Sequence, residues 1–222
     1  LSVSFKNLWQ TFKNARNYKE FLKFMLAFLI FNNGIMITLD FAAIIGATLF
    51  GMTQQQLIIF MIIVQITSVI GAYAFGKLTD KLGGRTSLAI AIGLMIVTVA
   101  GLFVVNSLTF FNFIGAMAGF ALTGVLSVSR TVVGQITPEE KSAEFYGLFS
   151  VGSQISAYVG PTLYGLLVAW LAFGYQRNGV EALTAEQNGI RLAVIAIIAF
   201  LGIGLGLLFR VRDWRKQKEN AA

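Results

Sequence analysis

The chain offers few side chains suited to acid–base or metal chemistry. It contains no histidine and no cysteine, and only ten Asp and Glu side chains among its 222 residues. A thiol nucleophile, a thiolate metal site and the commonest proton shuttle are therefore absent. Most of the acids lie near the chain ends or between apolar runs. We therefore expect no enzyme activity, no catalytic residue, no metal site and no cofactor.

One acid, Asp40, lies deep in an apolar run and is the strongest candidate for function. It comes 17 residues after Lys23, which is about 25 Å along a helix. Asn32, Met36 and Asp40 follow at intervals of four and share one helix face. An ionisable side chain within a membrane span is by default a functional candidate. We predict that Asp40 accepts a proton or pairs with a cation; the alternative is an acid near the outer interface.

Other polar side chains within apolar runs can line a transport or coupling path. They are Asn32, Asn33, Gln65, Gln154 and Tyr158. Asn33 and Gly34 are predicted to loosen their helix, as broken helices do at transporter binding sites. The alternative for such residues is a hydrogen bond between helices, worth about 0.6 kcal/mol. For Gln65 this alternative stands equal to a role in the path.

Six long apolar runs must position these residues. Charged residues make up 12% of the chain, against about 25% in a soluble domain. Each run approaches the roughly 20 residues that cross a bilayer as a helix. The alternating segments of a membrane barrel do not occur. The predicted fold class is an all-α membrane protein, with spans at 24–50, 57–75, 88–105, 110–133, 145–173 and 192–209.

The basic residues are unevenly divided between the two sides of a membrane. Fifteen of the 17 Lys and Arg side chains lie in the N-terminal segment, in the C-terminal tail, or around the connections between spans 2 and 3 and spans 4 and 5. Arg177 and Arg191 are placed in the connection between spans 5 and 6. Cytoplasmic loops are enriched in Lys and Arg, so we predict cytoplasmic termini and an integral protein of the plasma (inner) membrane. The net charge of +7 then requires no nucleic-acid partner.

Three segments are predicted along the chain. Residues 1–23 form a basic amphipathic segment on the cytoplasmic surface, residues 24–209 the transmembrane bundle, and residues 210–222 a basic tail. The chain starts at Leu1 rather than at Met, as expected of a piece of a longer protein.

A motif with glycines and charges lies between spans 2 and 3. Its positions are Gly76, Leu78, Asp80, Gly83 and Arg85. Gly76 is expected to let its helix end close to a neighbour, and Gly83 to permit a tight turn with positive φ. Asp80 and Arg85 are expected to belong to one compact charge cluster. The pattern resembles the loop signature of the major facilitator superfamily of transporters.

Further stretches resemble a narrower branch of that superfamily. Gly160-Pro161 is similar to the superfamily's Gly-Pro signature in the fifth helix of a half. The stretches at 31–34, 129–130 and 144–151 resemble a branch related to fungal vacuolar amino-acid effluxers. That branch usually shows an acid after Asn32, where this chain has Asn33; an acid follows at Asp40.

Two charged residues flank the connection between spans 4 and 5. Arg130 ends span 4 at the cytoplasmic side, and Glu144 opens span 5. We hypothesise that Arg130 pairs with Asp80 or with Glu144 in a latch that depends on conformation. The alternative is a simple anchor at the membrane interface.

The resemblance implies the C-terminal six-helix half of a transporter that works by alternating access. Amino acids or related metabolites are the solutes it implies, moved by efflux, and Asp40 would add proton coupling. The expected partners are the lipid bilayer, a small-molecule substrate, and a second six-helix half in the same polypeptide or in a homodimer. The alternative is a non-transporting membrane subunit or scaffold that assembles with another membrane protein.

Overall fold

The computed structural model describes residues 18–105 and 107–212, where the chain is helical and has no strand. Six long helices form there: α1 (Lys19–Phe50), α2 (Gln54–Leu82), α3 (Gly84–Gly101), α4 (Leu108–Ile136), α5 (Ser142–Arg177) and α6 (Ala182–Leu208), with a 3-10 helix at Glu139–Lys141. All six are long and apolar enough to cross a membrane. The predicted all-α fold class with six spans is confirmed.

The predicted terminal segments fall mostly outside this description. Of the amphipathic segment at 1–23, residues 1–17 lie outside the described residues, and its last five residues belong to α1. Of the tail, residues 213–222 lie outside as well. The interfacial helix and the basic tail therefore stay predictions.

The helices extend beyond the apolar runs that predicted them. α2 continues to Leu82, and α6 begins at Ala182 rather than at residue 192. Backbone hydrogen bonds continue into the membrane interface, where hydropathy no longer marks the helix. The placement of two arginines in the connection between spans 5 and 6 was therefore wrong. Arg177 is the last residue of α5, and Arg191 lies inside α6.

Short connections force consecutive helices to run in opposite directions. Gly83 alone joins α2 to α3, and its φ of 85° suits a residue without a side chain. Gly51, with φ of 61°, caps the C-terminal end of α1. Thr53 and Gln56 form a capping box at the start of α2. The first residues of α1, α3 and α5 therefore lie at the same end of the bundle as the last residues of α2, α4 and α6.

We call this end the basic end, because nearly all the described Lys and Arg side chains lie there. Two long-range hydrogen bonds hold it together. The Arg85 guanidinium donates to the carbonyl of Phe209 at 2.6 Å, and the Glu20 carboxylate accepts the backbone N–H of Arg212 at 2.7 Å. Of the described basic residues, only Arg177 and Arg191 lie towards the opposite end. The assignment of the basic end to the cytoplasm stays a prediction.

The six helices form two interlocked groups. α1 packs mainly against α5 and α6, whereas α4 packs mainly against α2 and α3, and α3 also contacts α6. The core along α1 is aromatic: Phe21, Phe24, Phe28 and Phe31 are at most 1% exposed. Their spacing of three and four residues places them on one side of the helix.

Glycines bring neighbouring helices into backbone contact. Gly71 of α2 lies against the carbonyl of Phe120 in α4, and Gly119 of α4 lies against the carbonyl of Val64 in α2. Lipid tails are as apolar as leucine, so close packing of this kind, rather than the hydrophobic effect, holds membrane helices together.

Candidate functional site

A cavity of about 250 Å³ opens between α1, α2, α3 and α4. Its lining is mainly apolar and includes Leu39, Phe60 and Met95, together with the polar side chains of Thr38 and Gln65. The Thr38 hydroxyl donates to a carbonyl of its own helix at 2.8 Å. The Gln65 side chain is exposed. The cavity therefore suits a small solute with an apolar part, and offers Gln65 as a hydrogen-bonding group.

Asp40 is exposed and does not itself line this cavity. Its neighbour in the chain, Leu39, lines the cavity. Asp40 stands ten residues before the end of α1 at Phe50, about 15 Å along the helix. Lipid does not solvate a carboxylate at this depth, so the side chain needs water, a cation or a protein partner. Its role in proton coupling stays a prediction.

Asn32 and Asn33 lie within α1, which is an uninterrupted helix. The predicted loosening at Asn33 and Gly34 is therefore wrong. Gly34 instead makes room for α6, since a Cβ there would lie 2.9 Å from Cγ of Leu201.

The side chain of Asn32 is fully buried, and neither of its polar atoms has a hydrogen-bond partner among the described residues. The Nδ2 group of Asn33 donates to the carbonyl of Leu29, while its Oδ1 is buried without a described partner. Unpaired buried amides are unfavourable, and the predicted place of Asn32 in the transport or coupling path stays a prediction.

Gln154 and Tyr158 lie on the face of α5 that points away from α1. Ser156 faces α1, because its hydroxyl donates to a carbonyl of that helix at 3.3 Å, and Gly160 packs against the same helix. Residues two apart in a helix point in nearly opposite directions. Tyr158, between Ser156 and Gly160, is accordingly 75% exposed. Within this bundle the structure does not bring Gln154 and Tyr158 together with Asp40.

The predicted loop motif is largely helical. α2 continues through Gly76 and Asp80, and Gly83 alone forms the turn. The expected close packing at Gly76 is wrong for the described part of the chain. This residue is exposed, and a Cβ added to it would meet no described atom within 4 Å. The neighbouring residue of α2, Phe75, is the one that faces α4, where its ring packs against Gly124.

Arg85 has a partner 124 residues further along the chain. Its guanidinium binds the carbonyl of Phe209 and lies 5.8 Å from the centre of that ring. Phe209 follows the last turn of α6, so Arg85 satisfies one of the carbonyls left free at a helix end. The Arg85 guanidinium is therefore directed to the end of α6, and the compact charge cluster with Asp80 stays a prediction.

Asp80, Arg130 and Glu144 are all exposed at the basic end. The phenol of Tyr146 in α5 donates to the carbonyl of Arg130 in α4 at 3.0 Å. This hydrogen bond links two helices that otherwise touch little. The proposed latch between the Arg130 side chain and either acid stays a prediction.

Two residues near the candidate site were missed in the sequence. Thr38 lines the cavity, and Tyr146 links α4 to α5. The hydroxyl of Thr38, within an apolar run and two residues before Asp40, was an available signal. Nothing local in the sequence indicates the partner of Tyr146.

The arrangement of helices is that of known transporters. A bacterial homolog of the human lysosomal transporter Spinster, solved in an inward-facing and unoccupied conformation, matches with a TM-score of 0.73 at 19% identity. The match covers 91% of this chain and 49% of that chain. Six membrane-length helices in this arrangement form one half of a major facilitator fold.

The sequence matches one protein family over its whole length. A family model described as "Vacuole effluxer Atg22 like" matches residues 1–222, and the chain belongs to this family. It is 28% identical over 196 residues to the uncharacterized MFS-type transporter YxiO of Bacillus subtilis, covering 88% of this chain and 44% of that protein. It is 29% identical over 232 residues to autophagy-related protein 22 of Yarrowia lipolytica, covering 99% and 36%. The predicted resemblance is confirmed, and the chain spans less than half the length of these relatives.

Proposed function

We propose that the chain forms one half of a membrane transporter that moves a small solute by alternating access. The observation that carries this proposal is a set of polar side chains exposed on membrane-length helices. They are Asp40, Gln65, Gln154 and Tyr158. A single Asp at the centre of a lipid-exposed helix costs about 2.5–3.5 kcal/mol. The helix surfaces that carry these polar side chains therefore have a lower free energy in contact with water or protein than in contact with lipid.

The cavity between α1 and α4 supplies one wall of the proposed path. Its apolar lining, with Gln65 as a hydrogen-bonding group, suits a small amphiphilic metabolite better than an inorganic ion. The family description names an effluxer, so we propose efflux of amino acids or related metabolites. Proton coupling through Asp40 is part of the proposal.

A second six-helix half is proposed to complete the path. The outward face of α5, with Gln154 and Tyr158, supports such a contact because it is polar and exposed. The relatives are more than twice as long as the matched stretch, which favours a second half in the same polypeptide over a pair of copies. The chain would then be the C-terminal half, in the plasma membrane with its basic end in the cytoplasm.

Flux measurements test this function directly. The complete polypeptide carrying these residues is reconstituted in proteoliposomes, and release of labelled amino acids is followed with and without a pH gradient. We expect flux that saturates with substrate concentration. Protein that is correctly folded and inserted, yet moves none of a broad panel of metabolites, would instead be a non-transporting subunit or scaffold.

Filling the cavity is expected to weaken substrate binding. Ala118 lines the cavity, so Ala118→Leu should raise the KM of transport by roughly tenfold, the equivalent of about 1.4 kcal/mol. Ala199→Leu is the matched control, because Ala199 is exposed on α6 and does not line the cavity. Equal KM values in the two variants would show that the solute does not enter this cavity.

The proposed latch is tested by a double-mutant cycle. Arg130→Gln and Asp80→Asn are made singly and together, and Arg130→Gln is likewise combined with Glu144→Gln. If one pair acts as a latch, the combined effect on transport rate should depart from the product of the single effects by roughly twofold or more. Purely multiplicative effects in both pairs would leave Arg130 as an interfacial anchor.

A further inference from the structure

Arg191 is a cation in an unusual place. It lies ten residues into α6, on the side of the bundle opposite to the basic end. Arg191 is exposed and lines a small cavity of about 80 Å³, together with Leu49, Phe50, Leu102, Phe103, Val105 and Val194. These residues come from the last turn of α1, the end of α3 and the following turn of α6. Arg191 is therefore set between three helices among apolar side chains.

Among the residues that the structure describes, Arg191 has no acidic partner. No ion pair and no side-chain hydrogen bond joins it to another described residue. The C-terminal ends of α1 and α3 lie close by, and each carries only about half of a negative charge. A guanidinium in such a place is stabilised by a full anion that it can bind with two parallel hydrogen bonds.

The depth of Arg191 is that of lipid headgroups. α1 ends at Phe50 and α3 at Gly101, and we infer that the boundary of the hydrocarbon lies near these helix ends. Gln187, one turn earlier in α6, donates to the carbonyl of Thr48 near the end of α1. That bond holds this part of α6 against the end of α1, which keeps Arg191 level with the last residues of α1.

We propose that Arg191 and its cavity bind the phosphate of an anionic phospholipid in the leaflet opposite to the basic end. The guanidinium pairs with the phosphodiester, and an acyl chain lies along the neighbouring apolar surface. Phe103 and Val104 offer that surface, being 51% and 64% exposed at the end of α3. Basic pockets between membrane helices bind lipid headgroups in this way.

A lipid fits these contacts better than a free anion. The cavity is small, and all of its lining apart from Arg191 is apolar, so it supplies no further donors for a fully charged inorganic phosphate. A phospholipid instead presents one negative phosphodiester together with chains that cover the exposed apolar residues. The bound lipid would support the junction of α1, α3 and α6.

Native mass spectrometry of the detergent-purified protein tests this site. Phosphatidylglycerol is titrated into wild type and Arg191→Gln, and we expect retention of the lipid to fall roughly fivefold in the variant. Arg177→Gln is the matched control, because Arg177 is also an exposed arginine towards this end but does not line the cavity. It should bind phosphatidylglycerol as the wild type does.

Two further measurements distinguish a phospholipid from free phosphate and compare Arg191→Gln with a conservative variant. Inorganic phosphate at millimolar concentration should not displace the lipid; displacement would show a free-anion site and overturn the lipid assignment. Arg191→Lys keeps the charge but loses the paired donors, and we expect intermediate retention. If Arg191→Gln and Arg191→Lys both retain phosphatidylglycerol like the wild type, the proposal is wrong and the helix ends alone stabilise Arg191.

Discussion

Replacing Asp40 by Asn is expected to abolish the pH dependence of transport and to slow it by roughly tenfold, equivalent to about 1.4 kcal/mol in solute or proton binding. Asp40 is exposed, follows the cavity-lining residue Leu39, and stands about 15 Å from the end of its helix. The amide has nearly the same shape but takes up no proton in the working pH range. The measurement is the initial rate in proteoliposomes over a range of pH values.

Two controls make the Asp40 result specific. Asp40→Glu keeps the titrating group and should retain the pH dependence. Glu186→Gln removes an exposed acid near the start of α6, away from the cavity between α1 and α4, and should change neither rate nor pH profile. A pH dependence that survives in Asp40→Asn would rule out Asp40 as the proton acceptor.

Two glycines five residues apart in α2 are expected to respond in opposite ways to alanine. Gly71→Ala forces a methyl group against the backbone carbonyl of Phe120, which does not move aside as a side chain would. Overpacking of this kind typically costs about 1–3 kcal/mol. Gly76→Ala meets no described atom within 4 Å, so the better helix propensity of alanine should leave stability unchanged or raise it by up to about 1 kcal/mol.

Thermal unfolding in detergent, followed by tryptophan fluorescence, compares the two glycine variants. We expect a lower Tm for Gly71→Ala and an equal or higher Tm for Gly76→Ala. Transport by Gly76→Ala is measured in parallel, since Gly76 belongs to the motif shared with the superfamily. A larger loss of stability at Gly76 than at Gly71 would mean that α2 is rotated relative to the packing described above.

The candidate polar residues could be predicted from the sequence, but which of them lie close together in the structure could not. Asp40 stands out because a carboxylate within an apolar run is costly wherever the helix turns. Gln154 and Tyr158 were predicted for the same transport path, yet within this bundle they point away from α1, the helix of Asp40. The rotation of α5 that separates them is decided by Ser156 and Gly160, whose contacts lie on another helix.

The sequence by itself determined the number, kind and approximate limits of the membrane helices, because hydropathy depends on the local run of side chains. It also identified the family, through residues close together in the chain. Tertiary structure alone decided that Gly71 rather than Gly76 meets a neighbour, that Arg85 binds the end of α6, and that Arg191 lies among apolar residues of three helices. The physical reason is that helix rotation and helix ends depend on the fit of side chains far apart in sequence.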